Sequence, residues 1–262
     1  MLNFGYTNND IDKILNFPII VNLKEDSLYK KIVAISNFFL EKGYNNGQII
    51  KMVKMHPKIL GLTISNLNKK IDDLIEKGYN LKLIIKITSK CPQIYSLSIN
   101  NIENKTNKIM EYGYSRDEVL SMISNYPSIY TFDTINMKKK IDELISLGFS
   151  YDEAIIITKN FPQIYSFEVS TIREKINFYR YIGLSNLIVS KKKILMQSLE
   201  LTYARYMYYK SIGIEIDEEN SEKLFVSEKV FVNRYKKGRD EIIELYKYDS
   251  SKIDCKKRKL VN

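Results

Sequence analysis

The sequence predicts an all-α protein, a solenoid of about six tandem helical repeats. Three observations predict it: glycine returns at a fixed interval, proline follows each glycine at a fixed distance, and the apolar residues between them keep helical and not strand periodicity. Glycine stands at Gly43, Gly78, Gly113, Gly148 and Gly183, each 35 residues after the last. Pro57, Pro92, Pro127 and Pro162 follow the first four of these by 14 residues. An earlier copy begins at Gly5, with Pro18 one residue early, and the sixth, from Gly183, lacks the proline. A regular centre between irregular ends suits an array closed by capping copies.

Each unit reads as two helices joined by a short 3-10 turn. Two residues after each glycine stands a helix N-cap candidate: Thr7, Asn45, Asn80, Ser115, Ser150 and Ser185. Such side chains accept a hydrogen bond from a backbone N–H that the first helical turn leaves unpaired. Gln48, Glu118 and Glu153 complete a capping box, Asp10 is a shorter substitute, and Leu83 breaks the pattern. The residue before each cap is large and apolar (Tyr6, Tyr44, Tyr79, Tyr114, Phe149, Leu184) and pairs with an apolar residue at the fourth helical position (Ile11, Ile49, Ile84, Val119, Ala154, Val189). That pair is a hydrophobic staple, which sets the angle at which the chain enters the helix.

The proline ends the first helix, because the residue before it is pushed out of the α region. An apolar pair follows: Ile59-Leu60, Ile94-Tyr95, Ile129-Tyr130 and Ile164-Tyr165, with Ile194-Leu195 in the sixth copy. The spacing leaves a short 3-10 segment there. The second helix shows its core stripe in Leu67, Ile71, Leu74 and Ile75 and stops at the next glycine. The array is expected over residues 1–247, with 248–262 a basic, flexible tail.

Composition narrows the function classes. The chain has 262 residues, a formal net charge of +10 and a sequence pI of about 9.2. Such a balance favours a polyanionic partner. Cys91 and Cys255 lie far apart without metal-ligand spacing, which excludes a disulfide scaffold or a structural zinc site and fits a reducing compartment. No stretch approaches 18 apolar residues, so no membrane span is expected. The first repeat begins almost at Met1, so a cytoplasmic setting is expected, organellar only if a targeting peptide was removed; a monomer is expected.

Catalytic chemistry has no anchor. The single histidine, His56, precedes Pro57 in a slot that Cys91, Tyr126 and Phe161 fill in other copies. That set of residues marks a packed helix end, and Cys91 reads as a packed thiol. Walker-type glycine loops, HExxH, GxSxG and dinucleotide fingerprints are missing. No catalytic residue, metal or cofactor is expected.

The units "GYSRDEVLSMISNYPSIY" and "GFSYDEAIIITKNFPQIY" carry a resemblance. The order Gly-aromatic-Ser/Asn, apolar helix, Pro-x-Ile-Leu/Tyr, second helix, Gly resembles the mitochondrial transcription termination factor (mTERF) family over residues 4–213. The segment Leu224 to Tyr235 looks like the element that closes such arrays. The resemblance implies a curved, left-handed array of helix triplets around a positively charged groove that accepts duplex DNA. Other members act on ribosomal RNA and in ribosome assembly. An organellar setting is also implied, but the chain shows no leader, which points to a bacterial or other leaderless relative.

Repeats present equivalent positions along one surface, so a recurring basic residue stands out. Lys31, Lys70, Lys105, Lys140 and Lys175 form such a column on the second helices of the first five copies. Their stems are expected to pack along the core edge while the ammonium groups reach outward as a track for a phosphate backbone. The alternative is a solvated rim. In the triplet Lys138-Lys139-Lys140, the first two are expected to face solvent. Denser clusters follow: Lys191, Lys192 and Lys193 in a loop, Arg205, and Arg234 with Lys236, Lys237 and Arg239. Arginines there offer bidentate contacts to phosphate or guanine. Tyr95, Tyr130 and Tyr165 read as core and not as stacking platforms, because Leu60 and Leu195 fill the same slot. The expected function is duplex nucleic-acid binding, DNA first, with a role in transcription. Structured RNA or ribosome-particle binding and a protein-interaction scaffold are the alternatives.

Overall fold

A computed structural model describes residues 5–15, 25–191 and 194–253. Pro18, Lys192, Lys193, Cys255 and the Lys256–Lys259 run lie outside the described residues. The described segments are helices, 3-10 turns and connections, with no strand among them. The chain divides into two compact units, Met1–Thr134 and Ile135–Asn262.

The first unit contains α1 (Asn8–Leu15), α2 (Glu25–Glu41), α3 (Asn46–Met55), α4 (Ile64–Glu76), α5 (Leu81–Lys90), α6 (Ile99–Met110) and α7 (Arg116–Asn125). Five-residue 3-10 turns, Pro57–Gly61, Pro92–Ser96 and Pro127–Thr131, follow α3, α5 and α7. The second unit contains α8 (Thr134–Ser146, whose first residue belongs to the first unit), α9 (Tyr151–Asn160), α10 (Val169–Tyr181), α11 (Leu187–Ser190), α12 (Leu199–Ser211), α13 (Glu228–Tyr235) and α14 (Arg239–Leu245). Its 3-10 turns include Pro162–Ser166, Ile194–Met196 and Ser221–Phe225. The order helix, 3-10 turn, helix thus recurs in both units.

The local chemistry follows the pattern of the sequence. Asn45, Asn80, Ser115 and Ser150 each accept a hydrogen bond from the backbone N–H three residues on, and Gln48, Glu118 and Glu153 close reciprocal capping boxes. Asp10 does the same at α1, accepting from the Thr7 N–H at 3.0 Å while its own N–H donates to Thr7 Oγ1 at 3.2 Å. Asn80, with Leu83 in the partner position, caps α5 alone. His56, Cys91, Tyr126 and Phe161 hold φ between −145° and −134° with ψ between 70° and 77°, so the following proline has displaced each from the helical region. The unit-starting glycines, from Gly5 to Gly183, adopt φ between +78° and +92°, the left-handed turn that an L side chain resists.

Two local expectations are corrected. Ser185 does not cap α11. That helix is a single turn whose N-cap position is Asn186, without a side-chain bond, because 184–187 fold as a tight turn first. Ile75 is 47% exposed, so the core stripe of α4 stops at Leu67, Ile71 and Leu74. The staple aromatics and the apolar pairs after each proline are buried, Tyr95, Tyr130 and Tyr165 included.

Buried hydroxyls tie successive repeats together. Tyr44 Oη shares hydrogen bonds of 2.7 Å with Thr88 Oγ1 and with Tyr95 Oη. One repeat later Tyr79 Oη makes the equivalent bond to Tyr130 Oη, and its threonine partner is Thr106 Oγ1 on α6, at 3.3 Å. Tyr6 occupies the equivalent position in the first repeat, but Leu60 stands where Tyr95 and Tyr130 would. Its hydroxyl is buried without a partner among the described residues, and burial with the Asp10 charge pushes it up to about 12.

Candidate nucleic-acid interface

The lysine column is real, but its ammonium groups do not reach outward. Each donates to backbone carbonyls at the end of the 3-10 turn one repeat later. Lys31 Nζ reaches Leu60 O at 3.2 Å, Lys70 reaches Leu97 O, and Lys105 reaches both Tyr130 O and Phe132 O. In the second unit Lys140 donates to Phe167 O, and Lys175 to Leu195 O at 2.7 Å and Gln197 O at 2.5 Å. These carbonyls end a turn whose successor helix starts afresh, so no helical N–H serves them. A flexible ammonium is a suitable cap for such acceptors.

Burial follows from that task. Lys175 is only 7% exposed, rests against the Phe167 ring, and desolvation lowers it to about 8. Burial also lowers Lys70 and Lys105. Arg205 is the sixth member of the column. It is 3% exposed, donates from Nη1 to Leu224 O at 2.9 Å and Val226 O at 2.6 Å, and lies over the Phe231 ring at 4.8 Å. Gly213 (φ +75°), the Ser221–Phe225 turn and the Ser227-capped α13 thus repeat the closing half of the unit, down to the cation that clamps it.

The C-terminal basic residues separate into side chains that meet a carboxylate and side chains that do not. Lys191 is engaged by Glu222 at 2.6 Å and by the Ser221 hydroxyl. Lys237 is paired with Glu241. Arg234, Lys236 and Arg239 are exposed, with Lys236 at φ +58° capping α13. Lys138 and Lys139 are exposed as expected, and Lys138 pairs with Asp142 at 2.8 Å.

A denser group was missed in the sequence. Lys51 on α3 and Lys82, Lys86 and Lys90 on α5 are all exposed and border one open groove of about 580 Å³, with Asn45, Gln48 and Ser89. No carboxylate lines it. A signal existed: from Lys42 to Ile102 inclusive the chain has ten lysines but only Asp72, Asp73 and Glu76 as acids. The lysine column recurs in each of the first five repeats, whereas this patch is confined to two adjacent first helices and comes together only on folding.

The mTERF family model matches residues 1–86 and 74–232. The chain belongs to the mTERF family. Comparison with curated proteins returned no match. The mTERF family is a nucleic-acid-binding one with transcription-related roles, not a family of enzymes. In this member, His56 Nε2 bonds the Ser96 hydroxyl at 2.7 Å across repeats, and Cys91 is buried with its thiol pushed up by desolvation. His56 therefore links neighbouring mTERF repeats, and Cys91 is a packed thiol. No described helix is long and apolar enough to cross a membrane.

Proposed function

We propose that this mTERF-family chain binds double-stranded nucleic acid, DNA in the first instance, through phosphate contacts, and that it acts in transcription. One observation supports the reading above others: Lys51, Lys82, Lys86 and Lys90 on α3 and α5, and Arg234, Lys236 and Arg239 around α13, are exposed, and no carboxylate pairing is found for them among the described residues. Contacts of this type fix position and give salt-dependent affinity without reading sequence. The clamping lysines serve the scaffold instead. Their place in the proposal is to hold neighbouring repeats in register, so that exposed cations of successive first helices face one ligand. A left-handed array over residues 1–247 around a basic groove belongs to the same reading.

The test is equilibrium binding of the full chain to duplex DNA, duplex RNA and single strands of matched length at several salt concentrations. Binding to duplex DNA that weakens steeply with salt is the expected result. Preference for duplex RNA would move the reading to a structured-RNA ligand, and no binding to any of the three near physiological salt would overturn it.

A further inference from the structure

We infer that the groove between α3 and α5 is a phosphodiester-backbone site, in which Lys51, Lys82, Lys86 and Lys90 are the contacting residues. The inference rests on the nucleic-acid reading and gives it a location. Lys82, Lys86 and Lys90 recur every four residues, so they share one face of α5 and rise about 6 Å apart along its axis. Lys51 holds on α3 the repeat position that Lys86 holds on α5, 35 residues later. The four therefore flank one groove from two adjacent first helices, with Asn45, Gln48 and Ser89 between them.

Availability separates this group from the column and from the carboxylate-paired cations, and its gathering around one groove separates it from the exposed lysines elsewhere. The column lysines and Arg205 spend their donors on carbonyls, and Lys191 and Lys237 face glutamates. Around the groove the neighbours are amides, hydroxyls and apolar side chains. Lys86 donates to the Ser124 hydroxyl at 2.6 Å, a neutral partner that holds the side chain in place and leaves its charge and two further N–H donors for a ligand. Four like charges gathered without a counter-charge cost the fold some repulsion, which a polyanion relieves. The open shape suits a backbone laid across two helices and not an enclosed small molecule.

The test is a salt titration of duplex DNA binding for three full-length proteins. These are the wild type, the variant Lys51→Gln/Lys82→Gln/Lys86→Gln/Lys90→Gln, and the control Lys69→Gln/Lys108→Gln/Lys139→Gln/Lys210→Gln. The control removes equal charge from exposed positions on the second helices α4, α6, α8 and α12. Each lost phosphate contact lowers the slope of log affinity against log salt by about 1. The groove variant is expected to lose about 3 to 4 of slope and at least about tenfold in affinity at low salt, while the control loses less than 1. Leaving Lys86 in place preserves the Ser124 bond, so the triple variant at Lys51, Lys82 and Lys90 serves if the quadruple one unfolds; a loss of about 3 is then expected. If the wild type binds and the groove variant matches it, or the control loses as much, the site is wrong and the nucleic-acid reading stands. If the wild type does not bind, the functional reading itself falls.

Discussion

Lysine has two fates in this protein, set by whether a neighbouring turn leaves carbonyls unserved. Where it does, as around Lys175, the ammonium is drawn in and capped by two backbone oxygens. Replacing Lys175 with methionine keeps the stem but strands both acceptors, so it should cost about 1 to 3 kcal/mol in urea unfolding; a change below about 0.5 kcal/mol would show that the clamp contributes nothing. The tyrosines make the complementary case. Tyr79→Phe removes a hydroxyl that serves Thr106 and Tyr130 and should cost about 1 kcal/mol, whereas Tyr6→Phe removes one with no partner among the described residues and should be neutral or stabilising. Asp10, bonded to the Thr7 N–H and to Lys54 at 2.7 Å, has its carboxyl held at about 2, below the usual 3.8. The unfolded chain therefore takes up the proton first. Asp10 contributes stability above about pH 4 that is lost as the pH falls towards 2. Thermal melts of Asp10→Asn between pH 6 and pH 2 should show a shallower acid decline than the wild type, and equal slopes would contradict this.

At the level of the element, boundaries are set by short-range chemistry that the chain states openly. A cap bonds its own third residue and a proline displaces its own predecessor, so Asn45, Ser115, Ser150 and the residues before the four central prolines were legible without coordinates. Direction across repeats was not. Whether Lys105 points to water or to Tyr130 O depends on where a turn 25 residues later comes to lie, and helical periodicity does not encode that. The α3–α5 lysines were hidden for the same reason, since helices 35 residues apart become neighbours only on folding. The left-handed glycines offer a test at this scale. Alanine at Gly78 would meet no atom within 4 Å, yet φ is +88°, so Gly78→Ala should cost about 1 to 2 kcal/mol from backbone strain alone. Gly238 has equal room at φ −78°, so Gly238→Ala should cost only the weaker N-cap of α14, about 0.5 kcal/mol. Equal costs at the two sites in urea unfolding would mean that packing, not φ, decides.

For the whole molecule, a charge of +10 is a poor guide until the cations are sorted. Buried or carbonyl-bound cations hold one repeat to the next, paired ones are locally neutral, and the remainder give the surface its field. The family supplies the class of ligand, and the sorting supplies the proposed places of contact. The division of labour between clamping and contacting cations is the central claim. It is tested most directly by Lys70→Met/Lys140→Met, with urea unfolding and the salt dependence of duplex DNA binding measured on the same preparation. Both lysines donate to a turn carbonyl, at Leu97 and Phe167. A loss of about 2 to 4 kcal/mol in unfolding free energy is expected, with the salt slope of the folded protein unchanged. Unchanged stability with a slope lower by about 2 would contradict it, because those lysines would then be contacts and not clamps.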